Sequence, residues 1–205
     1  MTRLLRGAAV AVLVGGATVV LTSCSGDPGA TPTETPPSTS TVVVTTPSPT
    51  PTPSVTPEEE LLEQIPENAR GEDFQSATHF ARFFLAMYPD LFAKDSDTQL
   101  FEYLSGETCR FCEKAMAGVA EARELDAYSV GGEVTFPDVL ARGGLQEDGF
   151  WYVADRFQAA AVETFGPDGD LLDGAPPYSG EARFRLDYRD GHWRVDEIDL
   201  EFDDA

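Results

Sequence analysis

The chain is poor in the residues that most often carry out chemistry. Its 205 residues include two histidines and three cysteines, and its only lysines are Lys94 and Lys114. Acidic residues outnumber basic ones by 36 to 14, which gives a formal net charge of −22. Such a surface repels nucleic acid and anionic lipid, so nucleic acid is excluded as a partner and a well-solvated domain is expected.

Sequence motifs of common catalytic and metal sites are also missing. The chain has no glycine-rich phosphate loop, no G-x-S-x-G nucleophile elbow and no D-x-D-x-D-G calcium loop. His79 falls outside the apolar stripe of a predicted helix and His192 lies beside a predicted turn, so both are expected at the surface. A zinc site at Cys109 and Cys112 would need two further ligands. We therefore predict no catalytic residue, cofactor or metal site, and no enzymatic activity.

The N-terminal segment has the features of an export signal. Arg3 and Arg6 precede an apolar run over residues 8–21 that glycines interrupt, and this run is short for a membrane span, which needs about 20 apolar residues. It ends in Leu-Thr-Ser-Cys at positions 21–24, which resembles a bacterial lipobox. The resemblance implies diacylglyceryl attachment to the Cys24 thiol, cleavage just before Cys24, and acylation of the new N-terminus. An ordinary signal peptide with a chance cysteine is the alternative.

A lipobox implies a location outside the cytoplasm. Two or more acyl chains on Cys24 would anchor the protein stably to the outer face of the cytoplasmic membrane, on the cell-wall side. The membrane is therefore one expected partner.

The chain divides into three segments by composition. Residues 1–23 form the predicted lipoprotein signal peptide. Residues 24–57 comprise Cys24, which is predicted to be lipidated, and a linker of almost only Thr, Pro, Ser and Val. This composition predicts a disordered spacer that reaches up to about 100 Å. The same linker could be a target for O-glycosylation. Residues 58–205 have the size of one globular domain.

The first half of this domain is predicted to be helical. Apolar side chains recur every three or four positions between residues 74 and 88, which predicts an amphipathic helix. Ser96 and Gln99 have the spacing of a capping box for a short second helix. Thr108 is predicted to cap a third helix over residues 109–126.

The second half is predicted to form antiparallel strands. Apolar and charged residues alternate over residues 182–188, and Asp-Gly at 190–191 predicts a hairpin turn. In the returning strand the apolar positions change parity between Val195 and Ile198. Because a strand with one buried face can change parity only by inserting a residue, we predict a β-bulge at residues 196–197.

Helices followed by strands predict the α+β fold class, with N-terminal helices packed on a bent antiparallel sheet. Residues 151–165 are predicted to form one long strand of this sheet. The element order and the Gly-His-Trp-Arg-Val sequence at 191–195 resemble the nuclear-transport-factor-2-like, SnoaL-like or cystatin-like cone. The Cys-Arg-Phe-Cys sequence at 109–112 resembles an uncharacterised family of actinobacterial lipoproteins, a domain of unknown function. The resemblance implies a fold and no particular activity.

The remaining two cysteines are predicted to pair with each other. In an exported protein with Cys24 lipidated, Cys109 and Cys112 would meet oxidising conditions, and their i, i+3 spacing fits a disulfide. A structural staple at the start of the third helix is the expected role. A redox dithiol is the alternative, although no βαβ pattern precedes this C-x-x-C motif.

Three aromatic residues, Tyr88, Tyr188 and Trp193, are candidates for lining a cavity of the cone, or else they fill its core. The resulting hypothesis is a membrane-anchored, extracytoplasmic lipoprotein that binds an envelope protein or a small ligand without catalysis. The alternative is a SnoaL-like small-molecule enzyme, or a thiol oxidoreductase that uses Cys109 and Cys112.

Overall fold

The computed structural model describes residues 56–137 and 140–203. The predicted signal peptide, Cys24 and nearly all of the predicted linker lie outside these residues. Four α-helices are present: α1 (Pro57–Glu63), α2 (Phe74–Ala86), α3 (Gln99–Leu104) and α4 (Arg110–Glu124). Short 3₁₀ helices cover Glu67–Ala69 and Pro89–Phe92. The strands are β1 (Tyr128–Gly131), β2 (Val134–Thr135), β3 (Arg142–Leu145), β4 (Trp151–Ala159), β5 (Val162–Phe165), β6 (Leu171–Ala175), β7 (Tyr178–Arg189) and β8 (His192–Phe202).

The strands form two antiparallel sheets. The main sheet has the order β2-β4-β7-β8, and β3 pairs with β4 as well. A smaller sheet has the order β1-β5-β6. Helix α2 packs on β4, and α3 and α4 pack on β8. This arrangement confirms the predicted α+β fold class.

The core lies between the helices and one face of the main sheet. Its largest fully buried side chains are Trp193, Phe80, Phe84, Phe101 and Phe184. The Phe84 and Phe101 rings stack with centroids 4.5 Å apart, which joins α2 to α3. Burying each such side chain contributes about 1.5–3 kcal/mol, so these aromatic residues account for much of the packing energy.

Helix α2 is the helix that its apolar periodicity predicts. Asp73 caps it, because its Oδ1 accepts a hydrogen bond from the Ser76 backbone N–H at 2.8 Å. The buried face carries the expected apolar positions, Ala77, Phe80, Ala81, Phe84 and Leu85.

The predicted caps of the next two helices are wrong. Helix α3 has Thr98 at its N-cap, and the Ser96 hydroxyl instead donates to the Leu91 carbonyl at 2.7 Å. Helix α4 has Cys109 at its N-cap, while the Thr108 hydroxyl donates to Asp196 Oδ1 at 2.6 Å. Both side chains make tertiary or turn contacts that a local sequence pattern does not reveal.

Helix α1 precedes the elements that the sequence predicted. Thr56 and Glu59 form a reciprocal capping box, in which the Thr56 N–H donates to Glu59 Oε2 at 2.7 Å. Thr56 and Pro57, which the composition assigned to the linker, therefore belong to the start of α1.

The long hairpin β7–β8 contains the predicted bulge. Arg185 pairs with Glu197, while Leu186 pairs with Val195, so Asp196 is the inserted residue. The parity change that predicted the bulge is therefore confirmed.

The prediction of a single strand over residues 151–165 is wrong. Strand β4 ends at Ala159 in the main sheet and β5 begins at Val162 in the smaller sheet. On the partner side, Pro176 and Pro177 separate β6 from β7. Proline has no N–H to donate to a ladder, so the pairing of residues 151–165 with residues 171–189 divides there into the β4–β7 ladder of the main sheet and the β5–β6 ladder of the smaller sheet. The smaller sheet consequently reaches the 3₁₀ helix Pro89–Phe92, which β1 contacts.

Candidate functional site

The smaller sheet and the C-terminal half of α4 enclose a cleft of about 470 Å³. This volume is in the range of about 300–1,000 Å³ that small-molecule sites occupy. The residues that line this apolar cleft come from the 3₁₀ helix Pro89–Phe92, α4, and strands β1, β5, β6 and β7: Tyr88, Pro89, Phe92, Gly118, Glu121, Ala122, Leu125, Ala127, Tyr128, Ser129, Gly132, Val162, Thr164, Leu172, Ala175 and Tyr178.

The helical wall of the apolar cleft is aromatic. The rings of Tyr88 and Phe92 meet edge to face with centroids 5.4 Å apart, and Tyr88 also contacts Phe111 at 5.3 Å. Gly118 of α4 leaves room for Phe92, because a Cβ at that position would lie 3.3 Å from the Phe92 ring, a tight contact. The small residue thus brings the helix backbone close to the aromatic wall.

The mouth of the apolar cleft exposes large aliphatic side chains. Leu125 at the end of α4 is 61% exposed, and Leu172 on β6 is 60% exposed. Tyr178, where β7 begins, also lines the cleft and is 39% exposed. Exposed apolar side chains that converge on one cleft are typical of a surface that a ligand or partner covers.

The lining of the apolar cleft contains one charged residue. Glu121 is the one Asp or Glu among its lining residues. Burial raises the pKa of the Tyr88 phenol, and nearby Tyr178 raises it further to a smaller extent. Burial also raises the pKa of Tyr178. Both phenols therefore stay neutral at physiological pH and can serve as hydrogen-bond donors within an apolar wall.

Of the three predicted cavity-lining aromatic residues, the structure places only Tyr88 in the apolar cleft. Trp193 is buried in the core, and its indole N–H donates to the Gly71 carbonyl at 3.0 Å. Tyr188 packs edge to face on Trp193 with centroids 4.7 Å apart. Trp193 therefore belongs to the core, and Tyr188 is a partly buried residue that packs against it.

The predicted disulfide is present between Cys109 and Cys112, with both residues buried. It lies at the N-terminal end of α4, whereas the residues of α4 that line the cleft begin at Gly118. The cysteine pair therefore fastens the start of this helix, and no sulfur atom lines the apolar cleft.

The expectation that His192 is a surface residue is wrong. It is only 5% exposed, and its ring stacks on Tyr103 of α3 with centroids 5.3 Å apart. Its Nε2 accepts a hydrogen bond from Arg194 at 3.3 Å, and its Nδ1 has no partner in the described part of the chain. The turn beside His192 is exposed, but α3 covers the first residue of β8. His79 is only partly exposed.

A buried ion pair that the sequence reading missed joins α2 to β4. Arg82 Nε donates to Asp155 Oδ2 at 2.6 Å, and the Asp155 side chain is only 1% exposed. Asp155 has the same strand parity as the buried residues Val153 and Phe157. An aspartate that alternates with apolar residues is a signal of a buried ion pair. The sequence alone does not show which side of this strand is buried, because that depends on the strands paired with it. Neither member of the pair lines the apolar cleft.

No three His, Cys, Asp or Glu side chains between residues 56 and 137 or between 140 and 203 lie close enough to share a metal ion. Within the same ranges, no helix is long and apolar enough to cross a membrane.

The structure is an α+β domain with an apolar cleft beside α4, and its family is shown by comparison with family models. The chain belongs to a family described as a family of unknown function, DUF6318, whose model matches residues 64–199. No curated protein matches the chain.

Solved structures that share part of the fold include the intermembrane space region of the chloroplast protein ARC6. That likeness has 12% identity and a TM-score of 0.46, and covers 62% of this chain and 97% of that one. An uncharacterised Caulobacter vibrioides protein with a cystatin-like fold has 12% identity and a TM-score of 0.37, covering 63% and 89%. CagV, a VirB8 homolog from Helicobacter pylori strain 26695, has 10% identity and a TM-score of 0.37, covering 60% and 98%. Likenesses this weak transfer no activity or partner.

Proposed function

We propose that this protein is a lipid-anchored, extracytoplasmic binding module that takes an apolar ligand into the cleft beside α4 without transforming it. The observation that carries the proposal is the cleft itself. It has a volume of about 470 Å³, an aromatic wall at Tyr88 and Phe92, and exposed leucines at its mouth. Transfer of an apolar group from water to such a wall is favourable by about 25 cal/mol per Å².

The same lining favours binding over catalysis. General acid–base chemistry needs a proton donor and a proton acceptor positioned on the same substrate, with pKa values near the working pH. Glu121 is exposed, and the pKa values of the Tyr88 and Tyr178 phenols are shifted upward, away from neutrality. The Arg82–Asp155 pair is engaged between a helix and a strand, away from the cleft.

The anchor rests on the Leu-Thr-Ser-Cys sequence at positions 21–24. Replacing Cys24 with Ala should release the protein into the medium or leave it as uncleaved precursor, whereas Ser25→Ala should keep it on the membrane. Fractionation followed by intact-mass measurement distinguishes these products. Unchanged membrane retention and an unchanged mass of the Cys24→Ala variant would contradict the lipid anchor.

Ligand binding is best tested in the full chain carrying Cys24→Ala, so that no acyl chain of the protein competes for the cleft. The neutral fluorescent probe N-phenyl-1-naphthylamine should bind at a single site with increased emission. Ala122 lines the cleft, and Ala122→Phe should fill it and abolish probe binding. Ala120 is exposed on another face of α4, so Ala120→Phe is the matched control and should leave binding unchanged.

Two results would count against this proposal. One is that the probe does not bind to the folded protein. The other is that Ala122→Phe and Ala120→Phe have the same effect on probe binding while both variants keep the parent circular dichroism and melting temperature. Either result would remove the cleft as a ligand site.

A further inference from the structure

A second recess adjoins the apolar cleft and has a different character. Its volume is about 430 Å³, and Ala127 and Tyr128 belong to the lining of both cavities. We call it the charged recess because its other walls include Lys94, Asp95, Arg123 and Asp126: two cations and two anions. The two cavities are therefore neighbours that share the wall formed by Ala127 and Tyr128.

The four charges of the charged recess do not neutralise one another. No ion pair within 4.0 Å joins Lys94, Asp95, Arg123 or Asp126 to any described residue, although other arginines of the domain pair with carboxylates on the sheet. Lys94 Nζ instead lies 5.6 Å above the centre of the Tyr128 ring. Charges of both signs that border one recess without contacting each other leave space between them for a ligand that carries both signs.

The positions of three of these exposed residues have structural features of their own. Asp95 and Asp126 both adopt positive φ, at 59° and 49°, a conformation that Asp and Asn tolerate better than most residues. Asp126 directly follows the C-cap of α4. Arg123, in the last turn of α4, donates from Nη2 to the Ser96 carbonyl at 3.0 Å, which directs its guanidinium toward the loop after the 3₁₀ helix Pro89–Phe92.

We infer that the ligand is a single-chain amphiphile with a zwitterionic head group, an inference that rests on the proposed function. Its apolar chain would occupy the apolar cleft. The anionic part of its head would contact Lys94 and Arg123, and the cationic part would contact Asp95 and Asp126. The shared wall at Tyr128 places the junction between chain and head beside the Lys94 ammonium.

Charge complementarity favours this head group over the alternatives. A purely anionic head would meet the two aspartates in a protein of net charge −22, and a purely cationic head would leave both basic groups unmatched. A membrane surface is a poorer fit than a monomeric amphiphile, because the cleft is a recess between α4 and the smaller sheet and not a flat apolar face. The occupant is therefore a single amphiphile molecule.

The experiment compares three ligands that share a dodecyl chain and differ only in the head group. Dodecylphosphocholine is zwitterionic, dodecyl phosphate is anionic and dodecyltrimethylammonium is cationic. Each is titrated below its micelle concentration at low ionic strength into the Cys24→Ala chain loaded with N-phenyl-1-naphthylamine, and displacement of the probe gives the affinity. We expect the zwitterion to bind about three- to fivefold more tightly than either singly charged ligand, as for two exposed charge pairs.

Variants that remove the acidic or the basic pair should change the relative affinities of the three ligands in opposite directions. Asp95→Asn with Asp126→Asn keeps residues that tolerate positive φ, and should raise the relative affinity of the anionic ligand. Lys94→Gln with Arg123→Gln should raise the relative affinity of the cationic ligand. Matched controls lie roughly 13 to 20 Å away along α4, near its N-terminal end, at exposed positions. They are Glu107→Gln with Glu113→Gln and Arg110→Gln with Lys114→Gln, and neither pair should change the order.

The outcomes separate this inference from the proposed function. If the probe binds and all three ligands displace it equally, or if the control pairs change the order as much as the recess pairs do, the charged recess does not hold the head group. The apolar cleft would then still be a binding site. If the probe itself fails to bind, the proposed function fails first.

Discussion

Arg82 on α2 and Asp155 on β4 form an ion pair across 73 positions of sequence, with Nε and Oδ2 2.6 Å apart. The Asp155 side chain is almost fully buried, while the Arg82 side chain is 28% exposed and its guanidinium carbon lies 5.5 Å from the Phe136 ring centre. A buried carboxylate is tolerated only when it is paired, so this contact fixes how α2 lies on the main sheet.

Removing the cation should destabilise the fold strongly. Arg82→Met keeps much of the side-chain volume but leaves the Asp155 carboxylate buried without this partner, which costs about 3 kcal/mol of unfolding free energy. Arg142→Met is the matched control, because the Arg142–Glu181 pair has an arginine that is 73% exposed, and its loss should cost under about 1 kcal/mol. Urea denaturation of both variants measures the difference. Equal losses would show that Asp155 has no special dependence on Arg82.

The N-cap of α2 predicts a specific pH dependence. The backbone N–H of Ser76 holds the pKa of Asp73 below its ordinary value of 3.8. A carboxyl whose pKa is lowered in the folded state contributes stability above the unfolded-state pKa, and loses it as pH falls through the folded-state pKa. Asp73→Asn should therefore lower the melting temperature at neutral pH, and this difference should shrink as the pH falls below 3.8.

The neighbouring substitution Glu72→Gln provides the control for Asp73→Asn, since Glu72 is exposed and does not cap the helix. It should leave the dependence of melting temperature on pH close to that of the parent protein. A difference between Asp73→Asn and the parent that stayed constant down to strongly acidic pH would contradict the assigned role of the carboxylate.

Local sequence patterns were sufficient where one element meets one continuous core. The apolar stripe of α2 and the parity change between Val195 and Ile198 predicted a helix face and a bulge, because each depends only on which side of the element is buried. The α+β fold class followed from the order of such elements. The capping box of Thr56 and Glu59 was also readable, but the polar composition around it concealed α1.

The apolar cleft depended on information that the local pattern does not hold. It forms because the chain leaves the main sheet after β4, at Ala160-Ala161, and returns to it at β7, after Pro176-Pro177, so that β5 and β6 form a separate sheet beside α4. Two adjacent prolines are a local signal that a strand ends. They do not show against which helix the strands before them pack. Tyr88, Tyr188 and Trp193 are equally aromatic in sequence, and only the tertiary arrangement separates the cleft residue from the two core residues.

Loss of the disulfide should affect stability modestly and ligand binding hardly at all. Cys109 and Cys112 are three residues apart, and so short a loop restricts the unfolded chain little, giving at most about 2 kcal/mol. The double variant Cys109→Ser with Cys112→Ser should therefore fold, melt at a lower temperature and bind N-phenyl-1-naphthylamine as the parent does. Loss of probe binding in a folded double variant would connect the cysteine pair to the cleft. Alkylation of the exported parent before and after reduction should show thiols only after reduction.

His192 offers a test of an unsatisfied polar atom in the core. Its Nδ1 is buried without a partner among the described residues, while its ring stacks on Tyr103. Leaving a buried polar atom unpaired costs about 1–3 kcal/mol, so replacing the ring with an apolar one should recover part of that cost. His192→Phe keeps an aromatic ring against Tyr103 and gives up only the contact with Arg194, which is partly exposed and can turn to water. We expect an unchanged or raised melting temperature, and His192→Ala, which also removes the stacking, should lower it. A fall in melting temperature for His192→Phe as large as for His192→Ala would show that the imidazole nitrogens, and not the stacking, hold this side chain in place.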